Sequence, residues 1–150
     1  MTPAFTYAPD PENPGWMRWT LTDASRFNAV MGRLLVRGEG EGRARVRMFP
    51  ERGHSNLQDN VHGGVTLAFI DMAMFAASRS FGLIDAAGAV TLDLSTQFIG
   101  GGRIGEPLDA EVELLRETGR LLFLRGLVTQ AGDHRVAAFA GTIRKPARPR

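Results

Sequence analysis

Cysteine is absent from this chain of 150 residues, which excludes disulfide frameworks and thiolate metal sites. Histidine occurs only three times, without the tight spacing to carboxylates that metal centres show, so we expect no metal. Lysine occurs once, at Lys145, and the basic charge belongs almost entirely to arginine. The formal net charge is only +2, which does not predict a nucleic-acid partner, whereas guanidinium groups suit the phosphate of a small molecule.

Long hydrophobic runs are also missing. The longest apolar stretch, from Val65 to Ala77, is too short for a membrane span and contains Asp71. The N-terminus lacks a basic region followed by an apolar one, so we expect no signal peptide, no membrane partner and a cytoplasmic location. The 43% hydrophobic and 23% charged fractions are those of an ordinary globular domain with its own core.

The chain is organised around the stretch from Asn56 to Arg79. It passes through His62-Gly63-Gly64 and predicts a helix from about Gly63 to about Gly82. This helix lacks a broad polar face, so it must be buried on most sides. In a chain of this length, a sheet that curls around the helix is the structure that can bury it.

The remaining segments predict that sheet. Residues 1–20 carry four prolines and are expected to form an irregular arm, and residues 22–30 a short helix that Thr22 or Asp23 caps and Gly32 ends. Residues 146–150 are expected to form a disordered basic tail. Period-two alternation and turn signals predict strands over residues 33–37, 43–49, 90–99, 108–116, 121–130 and 135–144. The fold class is therefore α+β, with an antiparallel sheet of about six strands around one buried helix.

Asp71 is the candidate catalytic group, because a carboxylate within an apolar helix is costly to bury unless something partners or uses it. It could act as a general base toward water or as a nucleophile, and the sequence does not separate the two. The alternative is a structural carboxylate. Gly63 and Gly64 lie at the helix N-terminus, where unpaired amides can hold an oxyanion. The alternative for them is a tight turn into the helix.

The spacing of these residues has a geometric consequence. Eight residues of helix rise about 12 Å, whereas an oxyanion donor and an attacking group must both lie within about 3 Å of one reacting atom. Gly63 and Asp71 of one chain are therefore too far apart to serve one substrate. If both are catalytic, Asp71 must meet Gly63 of another chain, which predicts a two-fold homodimer with two composite sites.

This pattern resembles the hotdog-fold acyl-CoA thioesterases of the PaaI-like, phenylacetate-pathway type. The resemblance covers roughly residues 20–145 and implies a hotdog thioesterase domain over residues 21–145. It further implies a helix wrapped by a sheet, a homodimer or a dimer of dimers (a homotetramer), and hydrolysis of acyl-CoA without metal or cofactor. The segments that carry it are His54-Ser55-Asn56, His62-Gly63-Gly64, Asp71, Leu92-Asp93-Leu94-Ser95 and Gly105-Glu106-Pro107.

The resemblance also implies roles for individual residues. Gly63 is the oxyanion donor, and Asn56 occupies a polar position that could orient water or Asp71, although it could equally be a turn-forming residue. His62 is expected to be neutral beside the helix N-terminus and to play a supporting part. Thr91 would supply a hydroxyl near the acid, unless the register places Ala89 there.

Substrate-binding candidates are less well defined. Arg103, or the row Arg43, Arg45 and Arg47, could bind the phosphates of CoA, although the row fits a solvated strand face better. Gly64 would leave room for the substrate beside the helix. Apolar residues that could line an acyl tunnel, or simply form core, are Phe69, Met72, Phe75 and Phe98. His54 and His134 are expected to be ordinary surface residues.

The sequence leaves three functions open. The first is an acyl-CoA thioesterase, the second a hotdog enoyl-CoA hydratase or dehydratase, and the third a non-catalytic acyl-CoA binding protein. Hydratases of this kind pair a catalytic histidine with an acid on the helix, which the present arrangement fits less well. Thioester hydrolysis is therefore the favoured hypothesis.

Overall fold

The computed structural model describes residues 3–85 and 88–148. These residues form one antiparallel sheet and one long helix, α1 (Gly63–Ser80), with 3-10 turns at Phe27–Met31 and Arg52–His54. The strands follow the order β1-β2-β3-β4-β6-β7-β8-β5 across the sheet. They are β1 (Phe5–Pro9), β2 (Met17–Leu21), β3 (Leu34–Gly40), β4 (Arg43–Met48), β5 (Val90–Phe98), β6 (Leu108–Glu117), β7 (Leu121–Gln130) and β8 (His134–Arg144).

The sheet has eight strands rather than about six, because the segment 1–20 is not an irregular arm. β1 and β2 form a hairpin whose second strand pairs with β3. The buried Trp19 ring stacks on Phe5 with the centroids 4.5 Å apart. Proline is tolerated at Pro9 because Asp10, not Pro9, donates its N–H across the hairpin, to Trp16. In the edge strand β1 the nitrogen of Pro9 therefore points away from β2, where no ladder hydrogen bond is lost. The proline-rich composition therefore marked the ends and the turn of a hairpin.

The short helix expected over residues 22–30 is also wrong in extent. Only Phe27–Met31 is helical, as a 3-10 turn that ends at Gly32 with φ 69°. The Asp23 carboxylate accepts hydrogen bonds from the Ser25 amide (3.0 Å) and hydroxyl (2.6 Å). Asp23 therefore folds a separate tight turn instead of capping a helix.

Helix α1 begins at Gly63, as expected, and ends at Ser80, just before Gly82 at φ 74°. Nine of its residues are buried, and they pack against β3, β4, β6 and β8. The incompletely buried positions recur about four residues apart and so fall on one stripe of the helix. They include Gly64, Leu67, Asp71 and Phe75. The catalytic candidate therefore lies on the side that the subunit covers least.

The outer face of the sheet is charged. The arginines of β4 lie opposite acidic residues of β6, with Arg45 and Arg47 both bonded to Asp109 (3.0 Å and 2.6 Å). These hydrogen bonds raise the pKa of Arg47 and outweigh the opposing effect of its burial. The predicted alternation of β4 is thus confirmed, and its arginine row is a structural ion-pair ladder.

Two expected features fall partly outside the described residues. Ala86 and Ala87 of the turn before β5 lie there, as do Pro149 and Arg150 of the expected tail. Residues 146–148 carry no regular secondary structure.

Candidate active site

The N-terminus of α1 presents one unused amide. His62 is the N-cap, and its Nδ1 accepts a hydrogen bond from the Gly64 N–H at 2.8 Å. The amides of Val65 and Thr66 donate to the His62 carbonyl at 2.9 Å and 3.0 Å. No acceptor among the described residues takes the Gly63 N–H. Of the first four helical amides, the one at Gly63 is therefore free to bind a developing negative charge.

The hydrogen bond of this cap indicates the tautomer of the His62 ring. A ring nitrogen that accepts a hydrogen bond carries no proton, so Nδ1 is bare and the proton of the neutral ring lies on Nε2. A Cβ at Gly64 would lie 3.1 Å from Nδ1, closer than most such contacts, so any larger residue there would require the His62 ring to shift slightly. The Gly64 amide is committed to His62, and Gly64 can serve a substrate only through the space it leaves.

Asp71 and Thr91 form the second part of the site. The Thr91 hydroxyl donates a hydrogen bond of 2.6 Å to Oδ1 of Asp71, and both residues are partly exposed. Asp71 is therefore less buried than its apolar neighbours suggested. Ala89 precedes the first residue of β5 and makes no such contact, which places the hydroxyl at Thr91. The second carboxylate oxygen of Asp71 has no partner among the described residues.

Strand β5 connects the two parts. It runs antiparallel to α1, with Thr91 beside Asp71 and the Phe98 ring 3.6 Å from where a Cβ on Gly63 would lie. Leu94 and Thr96 lie between them on the same face, since they pair with the core positions Gly141 and Phe139 of β8. The two ends of the site are about 12 Å apart along the helix, so one subunit does not bring Gly63 and Asp71 together.

Asn56 is used by its own loop. Its Oδ1 accepts hydrogen bonds from the amides of Gln58 (3.0 Å) and Asn60 (3.1 Å), which is the turn-forming arrangement. Its side-chain nitrogen has no partner among the residues that the structure describes. Any part that Asn56 plays toward a substrate is therefore that of an N–H donor.

The expectation for His54 is wrong, because this side chain is 6% exposed. Its Nδ1 accepts from the Glu51 amide at 2.9 Å, and its Nε2 lies 2.6 Å from the Val30 carbonyl. His54 therefore fastens the loop before the helix to the 3-10 turn Phe27–Met31. The signal in the sequence was the capping-box spacing, in which Glu51 stands three residues before His54.

The other candidates lie around the Gly63 end or within the helix stripe. Arg103 is anchored through its backbone to the Gln130 side chain at 2.7 Å and 2.9 Å, and its guanidinium pairs with Glu106 at 3.4 Å. Phe75 is partly buried one turn after Asp71, and Phe98 is 56% exposed. His134 bonds the Gly101 carbonyl at 2.7 Å.

The sequence reasoning missed the exposed apolar edge of the sheet. β5 is the last strand in the order, so within the part of the chain that the structure describes one side of its backbone has no strand beside it. Large apolar side chains on and beside it are 39–56% exposed, which marks an interaction surface when they lie together. Alternation of apolar residues in β5 could have signalled it. These residues are Leu67, Val90, Leu92, Phe98 and Ile99.

No helix in the described part of the chain has the length and apolarity needed to cross a membrane. The same residues contain no group of three or more histidine, aspartate or glutamate side chains that could hold a metal ion.

Comparison with known proteins gives a consistent result. The family model of the thioesterase superfamily matches residues 58–137, more than half of the chain. No curated protein sequence matches significantly. A mutant of the phenylacetic acid degradation protein PaaI from Thermus thermophilus is 26% identical, with a TM-score of 0.65 over 79% of this chain and 97% of that one.

Two further structures share the fold. The E. coli PaaI protein from the phenylacetic acid degradation operon is 23% identical, with a TM-score of 0.67 over 79% of this chain and 86% of that one. A hypothetical thioesterase protein from Streptococcus pneumoniae, solved with coenzyme A, is 19% identical, with a TM-score of 0.66 over 77% and 91%. The helix-and-sheet architecture is thus the hotdog fold.

Proposed function

Because this chain belongs to the thioesterase superfamily and is PaaI-like, we propose that it hydrolyses acyl-CoA thioesters to a free acid and CoA. The observation that carries the proposal is the pair of incomplete half-sites described above. One is a carboxylate held by a threonine hydroxyl, and the other is a free amide at a helix N-terminus. Thioester hydrolysis needs these two groups, one to deliver the attacking oxygen and one to stabilise the oxyanion.

The half-sites combine if two subunits pair along β5. Because β5 has a bulge between Thr91 and Asp93, Thr91 and Phe98 each lie three ladder positions from Ser95. Antiparallel pairing of two β5 strands about Ser95 therefore sets Thr91 beside the partner subunit's Phe98. Within each subunit, Asp71 contacts Thr91, and Gly63 lies next to the Phe98 ring. This register therefore brings Asp71 to the partner subunit's Gly63. It also covers the exposed apolar edge, which favours association.

In the composite site the thioester carbonyl oxygen accepts a hydrogen bond from the Gly63 N–H. The Asp71 oxygen that Thr91 leaves free removes a proton from water, and the water oxygen attacks the carbonyl carbon. The C–S bond then breaks and CoA leaves as the thiolate. In the nucleophilic alternative Asp71 attacks the carbon itself, CoA leaves, and water hydrolyses the resulting anhydride. Both routes need only water as second reactant, so we propose no metal or cofactor.

The supporting residues take roles consistent with their contacts. Thr91 fixes the orientation of Asp71, and the side-chain nitrogen of Asn56 can donate to the attacking water. His62 caps the helix through Nδ1 and so supports the carbonyl-binding end. Phe75 and Phe98 flank the two ends and can contact the acyl group.

The experiment is release of CoA thiol from a panel of acyl-CoA esters. Asp71→Asn keeps an oxygen that can accept from Thr91 but cannot act as base or nucleophile, so kcat should fall by roughly 10²–10⁴ while substrate binding persists. Hydration of an enoyl-CoA, followed by loss of its absorbance, would instead support the hydratase hypothesis. Binding of CoA esters without turnover of either substrate would identify a binding protein and refute the proposal.

A further inference from the structure

The arginines suggested by the sequence for binding phosphate are largely occupied. All three arginines of β4 pair with acids of β6, and Arg103 pairs with Glu106. By contrast, Arg120, Arg144 and Arg148 make no ion pair with any of the described residues. A guanidinium without a carboxylate partner can bind a ligand phosphate without first giving up an ion pair.

These three arginines line one groove. It has a volume of about 770 Å³ and lies between the β6–β7 hairpin, the end of β8 and the segment that follows it. Lys145 also lines the groove and pairs with Glu117 at 3.1 Å, with only 17% of its side chain exposed. A second groove of about 520 Å³ shares Gly119 and residues 145–148 with the first and also includes Asp85. Among the described residues, the walls of the larger groove thus carry four cations and no acidic residue.

The groove is built on paired backbone. The Lys145 amide donates to the Arg120 carbonyl at 2.8 Å, and Arg144 pairs with Leu121 in the β7–β8 ladder. Gly119 leaves the floor open, since a Cβ there would meet nothing within 4 Å. The strands therefore hold the backbone of Arg120 and Arg144 in place, although their side chains are exposed.

Its position links it to the active site. Arg144 lies beside Val90 in the β5–β8 pairing, one residue before Thr91. Gly88, which lines the groove, is three residues from Thr91, at most about 11 Å of extended chain. The groove therefore opens at the Asp71–Thr91 end of the helix.

We propose that this groove holds the phosphates of the CoA moiety, with Arg120 and Arg144 as the principal contacts. Arg148 and Lys145 add further positive charge around the phosphates. This inference rests on the proposed function, since a CoA ester places its thioester at one end of a flexible pantetheine arm and its phosphates at the other. Sulfur at the Asp71 end allows that arm to run across Val90 into the groove. Planar guanidinium groups bind phosphate oxygens in pairs, which gives both affinity and orientation.

The test compares three substrates with the same acyl group: the CoA ester, the dephospho-CoA ester and the N-acetylcysteamine thioester, which has no phosphate. In the Arg120→Ala/Arg144→Ala double variant, KM for the CoA ester should rise roughly tenfold or more, with kcat unchanged. The N-acetylcysteamine thioester should be hydrolysed as by the wild type. Arg26→Ala removes a 72% exposed arginine elsewhere on the surface and should leave KM and kcat unchanged for all three substrates.

Several outcomes would overturn the inference. Equal losses with the CoA ester and the truncated thioester would show a general effect, and no loss with either would show that the groove is unused. If the wild type hydrolyses none of the three, the thioesterase proposal fails by itself. In that case calorimetry of CoA binding tests the groove proposal separately. Binding to the wild type that weakens tenfold in the folded double variant supports the proposal. Binding that is unchanged in the variant, or absent in the wild type, refutes it.

Discussion

A composite site can be tested by combining two inactive proteins. Gly63 is the first residue of α1, the position at which proline is best tolerated in a helix. His62 has φ −59° and ψ 136°, which is compatible with a following proline. Gly63→Pro therefore deletes the free N–H while α1 keeps its start. Loss of one oxyanion donor should lower kcat by about 10²–10³.

Gly63→Ala is the matched control. Its Cβ would lie 3.6 Å from the Phe98 ring, which is an ordinary contact, and the N–H is retained. We expect Gly63→Ala to keep most of the activity that Gly63→Pro loses. Equal losses in the two variants would assign the effect to the Phe98 contact rather than to the amide.

The decisive measurement mixes Gly63→Pro with Asp71→Asn by coexpression from two tagged copies. In a heterodimer, one composite site contains both substitutions and the other contains neither. Equal random pairing makes about half of the dimers mixed, so activity should recover to about one quarter of the wild-type value per protein. If each subunit used its own acid and its own amide, no combination would restore activity. Residual activity no higher than that of the separate variants would thus refute the composite site.

Two further predictions concern stability. Burial raises the pKa of Asp10, but hydrogen bonds from Asn13, Glu12 and Arg18 outweigh that effect and hold the pKa below its usual value. Asp10→Asn should therefore lower the free energy of unfolding at pH 7, measured with urea. Its difference from the wild type should shrink as the pH falls below about 3.8. A difference in unfolding free energy that persists in acid would contradict this prediction. A Cβ at Gly126 would clash with a neighbouring carbonyl and with a core phenylalanine ring, so Gly126→Ala should cost roughly 1–3 kcal/mol of unfolding free energy, whereas Gly119→Ala, in open space, should change it little.

The part of the fold predicted from sequence is the part that depends on local pattern. The apolar run after Gly63 required a buried helix, and the alternation in β4 and the later strands required a sheet around it. Residues 1–20 were misjudged, because their proline content argues against strands locally, whereas the pairing of β2 with β3 holds the β1–β2 hairpin in the sheet. Trp16 itself is held on the outer face by the guanidinium groups of Arg37 and Arg47, at 4.5 Å and 4.7 Å. Such long-range contacts leave no trace in a local window.

The site shows the same division. The separation of Gly63 and Asp71 could be predicted from the sequence, because the rise per residue of a helix converts their spacing directly into a distance. The choice between Ala89 and Thr91 was not, because it depends on where β5 begins after a turn of unspecified length. In the structure the hydroxyl that contacts Asp71, at 2.6 Å, is that of Thr91. Likewise, the paired state of the β4 arginines depends on their alignment with β6, which sequence periodicity cannot supply.

The open edge of β5 carries a wider consequence. If the proposed dimer forms through β5, a newly folded subunit exposes unpaired amides and carbonyls, flanked by apolar side chains, until a second subunit binds. The edge of β5 that would join two subunits into composite sites can equally pair with an exposed strand of an unrelated protein. Catalytic activity and resistance to aggregation would then depend on the same residues of the β5 edge. Substitutions that keep the subunits separate would therefore lower both turnover and solubility.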